Sequence, residues 1–280
     1  MGKRVGQTKK ESILPVVILI LVSVTFATPL YYVLVNAFKK PEFIYSNPYF
    51  VTPASFTLDN IARSFKVMRF PEALLNNIII LVITCALLIV FGSMAGYAIA
   101  VTGSRILNLY YIITILVLTV PFQIIMVPLI IIMKKANLIN NYLGTSLVYV
   151  AISMPIVIFL YTGFMRSLPI QLKEAAIVDG CGMIKTYVYI FMPLMQVVTG
   201  TVLILRGQAV WNDLLVPILT ISKSSMTPLT LRLYSFASQR LTSWDLVFGG
   251  TLLCSLPVII LFLSLQKYFI NGIVAGAVKG

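Results

Sequence analysis

The sequence predicts an all-α integral membrane protein with six transmembrane helices. Hydrophobic residues make up 59% of the 280 residues, charged residues make up only 10%, and the mean hydropathy is +0.99. This composition excludes an ordinary soluble domain. The chain has room for about six helical spans of roughly 20 residues each, with their loops. The spans and loops are expected to leave no room for an added soluble ATPase domain.

Apolar runs place the spans of a single membrane domain, residues 1–280. The six spans are expected at about residues 13–35, 76–101, 107–133, 143–165, 191–216 and 246–265. The first run is longer than the apolar core of a signal peptide, which favours a retained helix. The loop after it is polar and rich in turns, and a short surface helix is expected near residues 58–66.

Glycines and prolines inside the spans indicate how the helices pack. Gly92 and Gly96 in the second span are four residues apart, which lets a neighbouring helix approach closely. The third span holds Pro121 and Pro128, and the fourth holds Pro155. Prolines bend membrane helices where neighbours or cavity water satisfy the freed backbone groups. Kinked helices around a water-filled path favour a transporter over a passive anchor.

Charge and residue usage exclude several other classes of protein. The net charge is +13, but Lys and Arg flank the spans and are expected to face lipid headgroups or partners rather than nucleic acid. Cys85, Cys181 and Cys254 are too far apart to indicate a disulfide framework or a metal site. The sequence contains no His, which removes histidine catalysis and histidine metal ligands. We therefore predict no catalytic residue and no metal site.

The orientation follows only weakly from charge. Ten Lys and Arg lie on the face that carries both termini and ten lie on the opposite face, with Arg206 completing the 21. Because long outer loops count less in the positive-inside rule, the balance favours cytoplasmic termini in the cell membrane.

A polar stretch rich in small residues, Glu174–Pro193, interrupts the apolar chain. Ser167 and Pro169 are typical of a helix start, and Gly180 is typical of a helix end, so a short helix is expected at about residues 169–179. Ala175 and Ala176 would present a nearly bare face beside the Glu174 carboxylate. Such a helix is suited to docking into a groove of a partner. Pro193 is expected to lie early enough in the next span not to break it.

The spacing of this stretch resembles the EAA loop of the permeases of ATP-binding-cassette (ABC) importers, E-A-A-x3-G-x9-I-x-L-P. The sequence has Glu174-Ala-Ala, Gly180, Ile190 and Pro193 in these positions, and Met192 replaces the usual leucine with a side chain of similar volume. The resemblance implies a cytoplasmic coupling helix that seats in a cleft of a separate ATPase subunit. The residues implied in this coupling are Glu174, Ala175, Ala176, Asp179 and Gly180.

The end of the chain carries a second resemblance. Residues 266–280 are similar to the carboxyl end of the maltose permease G-like branch of the carbohydrate-uptake family, which implies that residues 270–280 contact the ATPase dimer. The terminal residues implied in this contact are Gly276, Ala277, Val278, Lys279 and Gly280. The implied partners are a second, different permease subunit, two ATP-binding cassette subunits, an extracytoplasmic sugar-binding protein and membrane lipid.

No phosphate-binding G-x-x-x-x-G-K-[ST] sequence occurs in the chain. The subunit itself is therefore expected to bind no cofactor and to hydrolyse no ATP. The resemblance places ATP and Mg on the partner ATPase subunits.

Four residues are candidates for the substrate path. Arg206 lies roughly 20 Å along the fifth span, where a charge normally faces a partner or a wet cavity. The alternative is a structural pair with Asp213 or with another subunit. The triplet Trp211-Asn212-Asp213 suits sugar binding, because an indole stacks on sugar faces while the amide and carboxylate bind hydroxyls. The alternative for Trp211 is a place in the outer aromatic belt.

The sequence predicts the permease subunit of a sugar or oligosaccharide importer that works by alternating access. An anionic sugar, such as a sugar phosphate or a uronate oligosaccharide, stays open as the substrate because of Arg206. A secondary transporter is disfavoured because neither an internal repeat nor acids within the spans are evident. A membrane enzyme is disfavoured because no cluster of nucleophile, base or metal ligands occurs.

Overall fold

The computed structural model of the protein describes residues 13–169, 171–237 and 243–277, without the side chains of residues 261, 262 and 264–277. Within these residues the regular secondary structure is helical, apart from one isolated β-bridge between Lys39 and Phe56. The helices are α1 (Ile13–Ala37), α2 (Pro41–Ser46), α3 (Asp59–Val67), α4 (Phe70–Thr102), α5 (Arg105–Val117), α6 (Phe122–Lys135), α7 (Tyr142–Arg166), α8 (Gln171–Val178), α9 (Met183–Thr186), α10 (Met192–Leu194), α11 (Gln196–Asn212), α12 (Leu215–Thr220), α13 (Leu229–Ala237) and α14 (Trp244–Ala277).

The described helices can cross a membrane three to five times by length and composition. Helices α1, α4 and α7 each qualify alone, and two bent pairs of helices raise the number to five if each pair is one span. The sixth expected span corresponds to α14, whose described apolar stretch is Trp244–Ile260. Helix α4 has 33 residues and α14 has 34. Each is about 50 Å long, so each extends well beyond a hydrocarbon layer of about 30 Å.

The third span is not one bent helix, contrary to expectation. Helices α5 and α6 meet at an angle of 106°, and turn residues 118–120 separate them. Pro121 disfavours a helical conformation in the residue before it and has no N–H to donate, so the helix ends before this proline. Pro128, by contrast, lies inside α6.

The fifth span also differs from the expected residues 191–216. Its first helical segment begins at Met183, and the segment Met183–Leu194 meets α11 at an angle of 70°. The expectation that Pro193 leaves this span unbroken is therefore wrong. Residues 187–191 form a π-helical turn directly before it, because the missing N–H of a proline and its ring disturb the hydrogen bonds of the preceding turn. The helix then ends at Asn212, where Asp213 adopts an extended conformation.

The contact between α4 and α7 forms the centre of the bundle. A Cβ atom on Gly92 would lie 2.4 Å from the Val157 side chain, and one on Gly96 would lie 2.6 Å from the Tyr161 Cβ. Val157 and Tyr161 are fully buried. The prediction that these glycines allow close helix packing is confirmed.

At the end of the bundle away from α8, short elements tie α1, α3 and α14 together. The surface helix expected near residues 58–66 is observed as α3. The Arg63 guanidinium lies 2.8 Å from the Asp245 carboxylate at the start of α14. Beside this pair, a Cβ atom on Gly249 would lie 2.7 Å from the Asn60 carbonyl oxygen, so α3 and α14 are in close contact. Helix α2 was not expected from the sequence.

Candidate functional site

Helix α8 lies in the polar stretch that the sequence singles out, and its end is built on Gly180. The Gly180 N–H donates to the Ile177 carbonyl at 3.0 Å, and the Cys181 N–H donates to the Ala176 carbonyl at 2.9 Å. This pair of bonds is the Schellman motif, whose residue after the helix adopts a left-handed conformation. Gly180 has φ +72°, which glycine adopts without steric cost. The glycine of the motif therefore ends the helix and turns the chain.

The exposed face of α8 is partly different from the expected one. Glu174 and Ala175 are exposed, but Ala176 is only 1% exposed. The two alanines are therefore not a shared bare face, because successive residues of a helix point about 100° apart. The exposed surface of α8 is instead completed by apolar side chains, with Ile177 exposed by 61% and Val178 by 87%. An exposed carboxylate beside exposed apolar side chains is typical of a docking surface.

Side-chain hydrogen bonds hold residues 173–187 against the carboxyl-terminal part of α4. The Lys173 ammonium donates to the Val101 carbonyl at 2.7 Å, and thereby satisfies a free carbonyl at the carboxyl end of α4. The Tyr97 hydroxyl donates to the Met183 carbonyl at 3.1 Å. Farther along, the hydroxyls of Ser93 and Tyr187 share a hydrogen bond of 2.7 Å. Three hydrogen bonds therefore connect α4 to α8 and to the residues that follow it.

Replacing Gly180 with alanine is expected to destabilise the end of α8 by about 1–2 kcal/mol, because a Cβ is unfavourable in the left-handed conformation. Hydrogen–deuterium exchange of residues 171–181 should then become about 5- to 30-fold faster. Gly182→Ala is the matched control, since Gly182 has φ −69° and open space around it. Equal exchange in the two variants would contradict this account.

Three side-chain hydrogen bonds connect α7 with α11 and with the residue that follows α11, and we call them the α7–α11 polar ladder. They join Tyr161 to Thr199 (2.9 Å), Arg206 Nε to Ser153 (3.1 Å) and the Tyr149 hydroxyl to Asp213 (3.0 Å). Hydrogen bonds between helices hold membrane helices together because lipid offers no alternative partners. The ladder fixes α7 and α11 relative to each other.

The ladder places Arg206 and Asp213 apart from each other. They form no ion pair, so the alternative that Arg206 pairs with Asp213 is wrong in this structure. The Asp213 carboxylate also accepts the Val216 N–H at 2.8 Å and thus caps the start of α12. Asp213 is therefore a structural residue that connects α7, α11 and α12.

Trp211 and Asn212 face different surroundings although they are adjacent. Trp211 is 8% exposed and packs in a cluster with Met68, Leu229 and Phe236. Its indole is thus not free to stack on a sugar in this conformation, and it does not lie in an exposed aromatic belt. Asn212 is exposed. Asn212 is therefore the one exposed residue among Trp211, Asn212 and Asp213.

Gln208 is a polar residue of α11 that the sequence analysis missed. It is exposed and lies one turn before Asn212 on the same face of the helix. Its signal in the sequence is an amide pair spaced i, i+4 within an apolar span. An exposed amide pair faces water or another polar surface within a membrane, because lipid offers no hydrogen bonds. In the described part of the chain, no group of three or more His, Cys, Asp and Glu could hold a metal ion.

Removing the Tyr149 hydroxyl by Tyr149→Phe is expected to cost about 1–3 kcal/mol, because the Asp213 carboxylate loses a buried donor. A thermal unfolding midpoint in detergent should fall by about 2–4 °C per kcal/mol. Tyr234→Phe is the control, because Tyr234 is exposed on α13. If both variants unfold at the same temperature, the ladder does not stabilise the bundle.

The long apolar helices define a multi-pass membrane protein with an exposed short helix at one end. The chain belongs to the family described as "Binding-protein-dependent transport system inner membrane component", which matches residues 88–274. It is an ABC importer permease and a transport component, as the EAA resemblance predicted. The predicted permease fold is thereby confirmed.

Curated relatives match nearly the whole chain. The probable starch degradation products transport system permease protein AmyC of Thermoanaerobacterium thermosulfurigenes is 32% identical, over 93% of this chain and 94% of that protein. The melibiose/raffinose/stachyose import permease protein MelC of Bacillus subtilis is 31% identical, over 99% and 100%. The multiple sugar-binding transport system permease protein MsmG of Streptococcus mutans is 33% identical, over 90% and 91%.

A solved structure has the same fold. It is the crystal structure of a bacterial ABC transporter involved in the import of the acidic polysaccharide alginate. The match has a TM-score of 0.75 and covers 95% of this chain and 99% of that chain at 18% identity. At this identity the likeness shows the fold alone.

Proposed function

We propose that the chain is the permease subunit of an ATP-driven importer that moves a sugar or oligosaccharide across the cytoplasmic membrane by alternating access. The observation that carries this proposal is the match, over nine tenths or more of the chain, to relatives named for sugar transport. In alternating access, rigid groups of helices rotate around a central site.

The proposed assembly contains a second, different permease subunit, two ATP-binding cassette subunits and an extracytoplasmic sugar-binding protein. ATP and Mg bind the cassette subunits, and this chain binds no cofactor. The exposed surface of α8 supports a docked partner, with Glu174, Ala175, Asp179 and Gly180 at or beside it. Gly276 and Ala277 end α14 and extend it toward the same partner, while Val278, Lys279 and Gly280 lie outside the described residues.

The proposed orientation places α8 and both termini in the cytoplasm. The carboxyl end of α4 contacts the α8 stretch, and the carboxyl end of α1 lies at the opposite end of the bundle, beside α3. The chain therefore enters α1 from the α8 side. With α8 and the start of α1 on the same side, the proposed ATPase subunits would bind α8 in the cytoplasm.

The coupling path we propose follows the observed contacts. The Lys173 and Tyr97 hydrogen bonds link the α8 stretch to α4, glycine-mediated packing links α4 to α7, and the polar ladder links α7 to α11. Closure of the ATPase subunits would shift α8, and these links would move α4, α7 and α11 as one group.

The proposed substrate path runs along the exposed polar face of α11. Gln208 and Asn212 supply donors and acceptors for sugar hydroxyls. Trp211 and Asp213, first considered for sugar contact, instead hold the outer part of α11 in place. Arg206 is half-buried and is held through Nε by Ser153, with no carboxylate partner among the described residues.

Arg206 favours an anionic sugar as a second candidate substrate. A guanidinium fixed through Nε still presents its two terminal nitrogens, which suit a carboxylate or phosphate.

The test is ATPase activity of the reconstituted complex with its binding protein, screened over neutral and acidic oligosaccharides. We expect one sugar class to stimulate hydrolysis and to enter proteoliposomes. Stimulation by an acidic sugar, lost in Arg206→Gln, would establish the second candidate. Uptake that persists without ATP, or no stimulation by any sugar, would refute the proposed function.

A further inference from the structure

The end of α2 and the loop after it carry exposed aromatic side chains at the end of the bundle away from α8. We call residues 45–51 the aromatic loop. Tyr45, Tyr49 and Phe50 are exposed by 75%, 60% and 65%. Large aromatic side chains grouped on one surface indicate contact with a partner or a membrane.

Three successive backbone carbonyls of this loop are each bound by a side chain of the protein. The Lys39 ammonium donates to the Asn47 carbonyl at 2.5 Å, the Asn36 amide to that of Pro48 at 3.0 Å and the Tyr31 hydroxyl to that of Tyr49 at 2.7 Å. In water such carbonyls need no protein donor, because solvent hydrates them. In a lipid environment each free carbonyl would cost several kcal/mol, so internal donors are required.

The three donors lie in or just after the last turns of α1, and this places the loop beside a membrane span. Tyr31 precedes the end of α1 at Ala37 by six residues, about 9 Å along the helix axis. Leu30 and Leu34, on the same turns, are exposed by 72% and 47%. Helix α1 is apolar and long enough to span a membrane. The loop therefore folds back along a stretch of helix whose apolar side chains are exposed.

We call the three hydrogen bonds to these carbonyls the clamp, and two of its donor side chains are costly to bury. Asn36 and Lys39 are fully buried, and the Lys39 amine also donates to the Asn36 Oδ1 at 3.3 Å. Burial lowers the pKa of Lys39, and these partners are neutral oxygens that do not offset the cost of burying the charge. The Asn60 amide in turn donates to the Lys39 carbonyl at 2.6 Å. The clamp holds the loop in a fixed position against α1.

We propose that the aromatic loop inserts into the headgroup region of the bilayer leaflet away from α8. Tyr and Phe suit this region, since an apolar ring with or without a hydroxyl can lie at the boundary between hydrocarbon and water. The position of the loop beside exposed apolar residues of α1 favours lipid over a soluble protein as the occupant. The proposal depends only on the membrane location of α1 and not on the identity of the substrate.

The test uses the full chain in lipid nanodiscs with Phe50→Trp, and compares Trp fluorescence in ordinary and brominated phospholipid. We expect bromine to quench the added Trp signal by about twofold or more, with blue-shifted emission, as for an indole at the interface. Lys223→Trp is the matched control, because Lys223 is an exposed loop residue at the same end of the bundle. Its added signal should be quenched little. Equal quenching at both positions would overturn the proposal.

Two further measurements separate the alternatives. Adding Tyr31→Phe to Phe50→Trp removes one donor of the clamp, and lipid quenching should then decrease. Unchanged quenching would overturn the role assigned to the clamp. If lipid does not quench the Phe50→Trp signal, but a soluble binding protein shields it from iodide, the surface binds protein and the lipid proposal fails.

Discussion

Reversing the charge of Glu174 by Glu174→Lys is expected to abolish sugar uptake while the spans stay folded. The carboxylate lies on the exposed face of α8, where the proposed ATPase partner docks. Like charges brought together in an interface cost several kcal/mol, and each 1.4 kcal/mol is a tenfold loss of affinity. Uptake into proteoliposomes should fall by about tenfold or more, whereas the cassette subunits should keep their basal ATPase activity because they hold the nucleotide.

The control for this prediction makes the same charge change elsewhere. Glu42 is exposed on α2 at the other end of the bundle, so Glu42→Lys should leave uptake close to the unmodified level. Thermal unfolding of both purified variants checks that the fold is intact. Normal transport by Glu174→Lys would remove α8 from the coupling mechanism.

Introducing valine at Gly96 is expected to prevent α4 and α7 from packing. A Cβ atom there would lie 2.6 Å from the Tyr161 Cβ and 3.0 Å from the Thr162 backbone nitrogen. Because a backbone atom cannot move aside as a flexible side chain can, the helices must separate. Overpacking of a core costs about 1–3 kcal/mol and sometimes more, and the branched side chain adds to this. The folded protein recovered from membranes should fall sharply, with a lower unfolding temperature.

Gly163→Val is the matched control for Gly96→Val, because Gly163 lies in the same pair of helices. Gly163 lies on α7 and is exposed, and a Cβ atom added to it would meet no other atom within 4 Å. Valine should therefore be tolerated at this position. Similar yields and unfolding temperatures for Gly96→Val and Gly163→Val would show that close approach at Gly96 is not needed.

Local signals in the sequence were sufficient to predict the class of protein and the position of the candidate coupling helix. Apolar runs report how segments partition into lipid, and this property depends on each segment alone. The glycine at 180 likewise acts locally, because the left-handed conformation and the two hydrogen bonds of the helix end involve residues within one turn. The E-A-A spacing therefore predicted the family correctly.

Helix breaks were harder to predict, since a proline inside an apolar run bends or ends a helix according to its neighbours. Pro155 lies within an unbroken α7, whereas α5 and α6 diverge by 106° before Pro121. A proline is thus accommodated within one helix and follows the end of another. The break at Asp213 depends in part on the Tyr149 hydroxyl, which is 64 positions away in the chain.

The sequence by itself determined that the chain crosses a membrane, where its helices approximately lie, and that a short helix at Glu174 belongs to a permease. Only the tertiary structure decided that Trp211 is buried, that Asp213 caps a helix and that Gln208 shares an exposed face with Asn212. The physical reason is that hydropathy and turn chemistry are properties of nearby residues. Which face of a helix meets a neighbour depends on side chains that are far apart in the chain.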